Sequence, residues 1–193
     1  SCNDEFLDLK PLESISSENI FKDPALAELY LNEVYQGIPD GFNRGWYMLS
    51  SASDDGEIAY SWAASTSRFN TSSITPANSL FNGLWGNSYT QIRRINEFIL
   101  NYADLAGNDS EVNRLKGEVH FLRAFYYAEL LKHFGGVPII QVPQSLEGDE
   151  LLVSRNTRAE TTDFIVSELD AAITFFTGAT NTGSSRGSLI SSY

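Results

Sequence analysis

Residues 110–138 restrict the fold of this chain more than any other stretch. Val112, Leu115, Val119, Leu122, Phe125, Tyr126, Leu130 and Phe134 recur at helical spacing behind Ser110, a natural N-cap. Lys132 and His133 sit in the last turn, where the carbonyl end of a helix favours cations. Gly135 and Gly136 then supply termination, and Pro138 forbids continuation, so Val137-Pro138-Ile139-Ile140 should run extended. A helix this long needs partners along its apolar side, so the rest of the chain must provide them.

Three more helices are legible. The first begins at Asp23 as N-cap with Pro24 in the first position, and Leu26, Leu29, Tyr30 and Val34 form its apolar stripe. Gly37 and Pro39 end it. The second runs from about Ser79 to Leu105 on Leu80, Leu84, Trp85, Ile92, Ile95, Ile99 and Tyr102. Gly83 and Gly86 allow a start nearer Trp85, since each costs ~1 kcal/mol of helix propensity relative to Ala. The fourth opens on a capping box, Thr157 with Glu160, and buries Phe164, Ile165, Leu169, Ala172, Ile173 and Phe176 before Gly178. The expected class is all-α, with pairs stacked as tetratricopeptide-like hairpins. Residues 38–78 form a long irregular loop insertion. A stretch of that length without helical periodicity is uncommon in a compact domain unless it carries function.

Composition removes several function classes. The 193 residues hold 13 Lys and Arg against 25 Asp and Glu, a net charge of −12, with no basic face to displace counterions from phosphates. Nucleic acid is therefore excluded as a partner. No run approaches the ~20 apolar residues of a membrane-spanning helix. HExxH, P-loop and GxGxxG patterns are all missing, and no CxxC pair exists for zinc, so no metal or cofactor is expected. His120 and His133 are thirteen residues apart on one helix and read as packed or surface residues rather than ligands. Asp54 and Asp55 resemble a glycosidase acid pair only superficially. Such carboxylates flank a bond at roughly 5–9.5 Å, whereas adjacent side chains diverge. No catalytic residues are assigned.

The aromatics of the insertion point elsewhere. A sugar ring has an apolar C–H face and a rim of hydroxyls, and it is held by a flat aromatic platform edged with polar groups. Trp62, Tyr60, Trp46 and Tyr47 supply platforms, while Arg68, Asn70, Asp54 and Asp55 supply a rim. On residue types alone, these aromatics serve equally well as fasteners of a long loop. Trp85 lies on a helical stripe and reads as core. Cys2 is the only cysteine. It follows a small residue, Ser1, and precedes Asn3-Asp4-Glu5, which fits either a lipid-attachment site or an incidental thiol.

Four stretches together resemble the SusD/RagB family of outer-membrane lipoproteins of Bacteroidetes. The first is Cys2-Asn3-Asp4-Glu5-Phe6-Leu7-Asp8 with Pro11; the second is Trp85-Gly86-Asn87-Ser88-Tyr89 with Ile92, Arg94, Asn96 and Ile99. The third runs Gly117-Glu118-Val119-His120-Phe121-Leu122-Arg123-Ala124-Phe125-Tyr126-Tyr127 and on through Phe134-Gly135-Gly136-Val137-Pro138. The fourth is Arg158, Phe164-Ile165 and Glu168-Leu169-Asp170-Ala171-Ala172. The resemblance implies a non-catalytic, surface-exposed glycan-binding lipoprotein, anchored through Cys2 and carried on the outer membrane. Its implied partners are oligosaccharides or polysaccharides and a SusC-like TonB-dependent transporter to which it passes them. Arg94, Arg123 and Asn96 would then be structural or transporter-facing rather than sugar-binding. Family members are longer, so the expected organisation is a tether at 1–22, a helical N-terminal domain at 23–176, and a linker at 177–193 leading into a missing helical pair. A helical-repeat interaction module with no sugar site of its own is the competing expectation.

Overall fold

The computed structural model describes residues 20–39, 43–44, 47–48, 53, 75, 82–105, 107, 109–145 and 151–177. Helix α1 spans Pro24–Gln36, and the Asp23 carboxylate accepts a hydrogen bond from the Ala25 N–H at 2.9 Å, so it starts where its cap predicts. Its buried residues, however, are Ala27, Leu31, Val34 and Tyr35. Leu29, expected on the apolar stripe, is 63% exposed. The stripe is rotated because α1 lies on two helices at once, and both contact directions decide which side faces in.

Between α1 and the next helix, β1 (Asn43–Arg44) pairs antiparallel with β2 (Tyr47–Met48), Asn43 opposite Met48 and Arg44 opposite Tyr47. The insertion expected to be irregular throughout thus holds a short ladder. Helix α2 spans Asn82–Asn101 and tightens into a 3₁₀ turn at Tyr102–Asp104. The α-helix ends short of the expected Leu105, and Gly83 lies within it, while residues 79–81 lie outside the described residues. Helix α3 spans Asp109–Phe134, with Asp109 and Glu111 in its first turn and Lys132 and His133 in its last. Ser110 is therefore inside the helix rather than its cap. Helix α4 spans Arg158–Thr177. Its capping box forms as predicted: Thr157 N–H donates to Glu160 Oε2 at 2.7 Å, and Glu160 N–H donates to Thr157 Oγ1 at 3.2 Å.

Helix α3 is the axis of the domain. Leu115, Val119, Leu122, Tyr126, Tyr127 and Leu130 are fully buried, meeting Leu31 and Val34 of α1 and Ile92, Ile95 and Phe98 of α2. Helix α4 covers the opposite side of α3 with Phe164, Ile165 and Ala172. Ile173, expected to be buried, is 58% exposed, while Thr161, Glu168 and Ala172 are the buried residues of α4. At the far end of α3, Gly135 takes φ +73°, the left-handed termination that the sequence predicts. The connector from α3 to α4 leaves and returns at one point. Asn156 N–H donates to Val137 O at 3.2 Å, and Ile139 N–H donates to Asn156 Oδ1 at 3.1 Å.

Candidate functional site

Of the eight residues read as a sugar platform and rim, Trp62, Tyr60, Arg68, Asn70, Asp54, Asp55 and Trp46 lie outside the described residues, as does Cys2. Tyr47 is placed in the backbone of β2, opposite Arg44. What the structure does describe is the scaffold from which this segment departs and to which it returns.

The departure point is Gly37. Its N–H caps α1 by donating to Val34 O at 3.1 Å, and its carbonyl accepts from Asn87 Nδ2 of α2 at 2.6 Å. Gln91, one turn on, is buried; its amide nitrogen lies 3.5 Å from Asn87 Oδ1, and its oxygen accepts from Arg94 Nη1 at 3.3 Å. Asn87, Gln91 and Arg94 thus form a polar row across α2, ending on the peptide where α1 finishes. Sequence reasoning assigned no role to Asn87 or Gln91. The available signal was two amides four residues apart beside core positions of a helix, where apolar residues are the default.

Behind this row lies a buried polar cluster. Arg123 grips the Glu168 carboxylate with two donors, Nε to Oε2 at 2.7 Å and Nη2 to Oε1 at 2.6 Å. His120 Nδ1 meets Glu168 Oε2 at 2.8 Å, and the imidazole stacks on Phe175 with centroids 5.6 Å apart. Arg123 Nη1 also donates to Asn96 Oδ1 at 3.1 Å, and Asn96 Nδ2 donates to Ile140 O at 2.9 Å. The cluster ties α2, α3, α4 and the connector together. Burial pushes the Glu168 carboxyl up, but hydrogen bonds from His120 and Arg123 outweigh it and hold the group below the ordinary carboxylate range. Arg123 and Asn96 serve as internal ties, the structural alternative among those the resemblance implied. Arg94 takes part through Gln91 and through its carbonyl, which accepts from the Tyr30 hydroxyl at 3.3 Å.

A second ionic group joins α1 to α3. Arg114 bridges Glu28 at 3.2 Å and Glu118 at 2.8 Å, and the Tyr35 hydroxyl donates to Glu118 at 3.2 Å. Here desolvation wins, and the Glu118 carboxyl is raised despite Arg114. Trp85 is packed against Phe134, edge-on at 5.2 Å, and against Tyr89 at 5.1 Å, with the Arg155 guanidinium 5.2 Å over its ring. Its ring is engaged by the scaffold, in keeping with a core reading. Among the described residues no three His, Cys, Asp or Glu side chains converge to hold a metal, and no helix is long and apolar enough to cross a membrane.

Comparison with known proteins gives this scaffold a lineage. A SusD-like family model, whose description is starch-binding and associating with the outer membrane, matches residues 5–185. A SusD-like protein of Formosa agariphila is 25% identical over 173 residues, covering 89% of this chain and 34% of its own length. Among solved structures, a SusD-like protein from Bacteroides fragilis superposes with TM-score 0.73 at 28% identity, covering 86% of this chain and 32% of that one. A laminarin-binding SusD-like protein superposes with TM-score 0.68 at 25% identity, covering 80% and 34%. The chain therefore spans about a third of the length of the relatives it matches. With the family model running from before α1 to beyond α4, and with this helical arrangement repeated in the solved relatives, the chain belongs to the SusD-like family.

Proposed function

We propose that the chain belongs to a non-catalytic, cell-surface glycan-binding protein that captures oligosaccharides and hands them to a TonB-dependent outer-membrane transporter. The observation that carries this reading is the family match across residues 5–185, joined by structural likeness to a laminarin-binding relative. In this reading Cys2 carries the lipid that holds the protein at the outer membrane. Trp62, Tyr60, Trp46 and Tyr47 of the insertion stack on sugar rings, and Arg68, Asn70, Asp54 and Asp55 engage their hydroxyls. The ligand is an uncharged glucan such as laminarin or starch.

The test is Trp62→Ala in the full-length protein, assayed by affinity electrophoresis in gels containing laminarin or starch. Loss of one stacking platform is worth about 1 kcal/mol, so roughly a fivefold weaker affinity is expected with helicity unchanged. Equal retardation of variant and wild type would remove Trp62 from the site. Absence of retardation on every glycan, with stable co-purification of a transporter barrel, would favour the interaction module instead.

A further inference from the structure

The chain leaving α3, residues 137–145, lies across α2 and α3 as a strap, and side chains hold its backbone more than apolar burial does. Val137 is buried, Ile139 and Ile140 are half-buried, and Val142 is 62% exposed. The carbonyls are taken one by one: Pro138 by the Tyr89 hydroxyl at 2.7 Å, Ile140 by Asn96 Nδ2 at 2.9 Å, and Gln144 by Arg93 Nη1. The Tyr127 hydroxyl closes on both groups of Ile140, accepting from its N–H at 2.7 Å and donating to its carbonyl at 3.1 Å. Of these holders, Asn96 is also bound to the buried charge cluster. Its residue is 1% exposed, and while Nδ2 faces the strap, Oδ1 accepts from Arg123 Nη1 at 3.1 Å. Arg123 can only donate and the Ile140 carbonyl can only accept, so the amide has one permitted orientation. Arg123 is oriented in turn by Glu168 of α4, through bonds of 2.7 and 2.6 Å.

We infer that Asn96 is a positioning residue that relays the charge on α4 to the strap, so that the hold on 137–145 tightens and loosens with the Arg123–Glu168 grip. With the grip in place, the amide is locked with its donor on the Ile140 carbonyl. With the grip gone, the amide loses the donor that orients it, can turn its oxygen toward that carbonyl, and holds the strap less well. The route from Glu168 through Arg123 and Asn96 to Ile140 crosses three helices, and its two ends do not touch each other along it. Linkage makes such a coupling reciprocal: whatever disturbs Glu168 on α4 is felt at the strap, and whatever lifts the strap is felt at α4 by the same factor.

The test uses the full-length protein and follows hydrogen exchange by mass spectrometry in peptides spanning 137–145 and the core of α3, with urea unfolding alongside. Arg123→Met with Glu168→Leu removes both charges and refills the seam, so global stability should return close to wild type while exchange across the strap stays about fivefold faster. A tie that merely holds the fold together would bring strap exchange back with the stability, and that result overturns the proposal. Asn96→Leu leaves the Arg123–Glu168 grip in place and needs no refilling of the seam. It should accelerate exchange at 137–145 by a similar factor, about fivefold, with the core of α3 unchanged. No change at the strap, or acceleration spread equally through α3, overturns the proposal as well. Joining all three substitutions should add nothing to the Asn96→Leu rate, because the relay is already cut. Factors that multiply would mean two independent holds and would overturn the coupling.

Discussion

Glu168 accepts donors from Arg123 and His120 at 2.6–2.8 Å inside the seam between α3 and α4, with its side chain 8% exposed. Removing one partner of such a group leaves a charge buried without compensation, which costs about 3 kcal/mol or more. Glu168→Gln should lower the stability read from urea unfolding by about that amount, whereas Arg123→Met with Glu168→Leu should recover most of the loss. The pH dependence follows from the lowered carboxyl. Its folded pKa lies below the unfolded value of about 4.5, so its stabilisation is complete above that value and is lost as pH falls through the folded pKa. Glu168→Gln should therefore flatten the acid limb of a stability profile. Glu118 has the opposite sign: its raised carboxyl favours the folded state below the unfolded pKa and loses that contribution as pH rises through the folded one. No sequence rule pairs Arg123 with a carboxylate 45 residues away. Their meeting depends on how two helices cross, so the charges were legible but their partnership was not.

At the scale of the element, the boundaries were written locally and the faces were not. Asp23-Pro24, Thr157 with Glu160, and Lys132-His133-Gly135 each act within one turn, so their effect survives any tertiary arrangement. Leu29 and Ile173 sit on regular apolar stripes yet face outward, since the angle of burial belongs to the neighbouring helix as much as to the residue. Two adjacent glycines separate these influences. Gly135 is held by its own left-handed backbone, and Gly135→Ala should cost about 1 kcal/mol. Gly136 is held by a neighbour: a Cβ there would fall 2.1 Å from the Asn156 carbonyl oxygen, where backbone has to move. Gly136→Ala should therefore be the more damaging by thermal unfolding, in the range of about 1–3 kcal/mol for overpacking. Thr157→Ala should cost about 1 kcal/mol through the lost cap.

For the molecule as a whole, the net charge of −12 bears on which glycans suit it. Stacking and hydrogen bonding to uncharged sugars involve no counterion release, so on the proposed reading the affinity for laminarin or starch should change less than about twofold between low and high salt. A steep salt dependence measured by calorimetry would point to a charged ligand instead. The helical scaffold was readable because periodicity and caps repeat along the chain. The residues proposed to meet the sugar were readable only as a composition, since Trp62, Tyr60 and their neighbours carry no helical periodicity or cap by which to place them. The α3–α4 connector has a consequence for descent. Because Val137 and Asn156 are bonded to each other, the chain between them is a closed circuit, and each doubling of its length adds only ~0.6 kcal/mol of closure entropy. Lineages sharing this scaffold are thus free to lengthen or shorten that circuit while α3 and α4 keep their register.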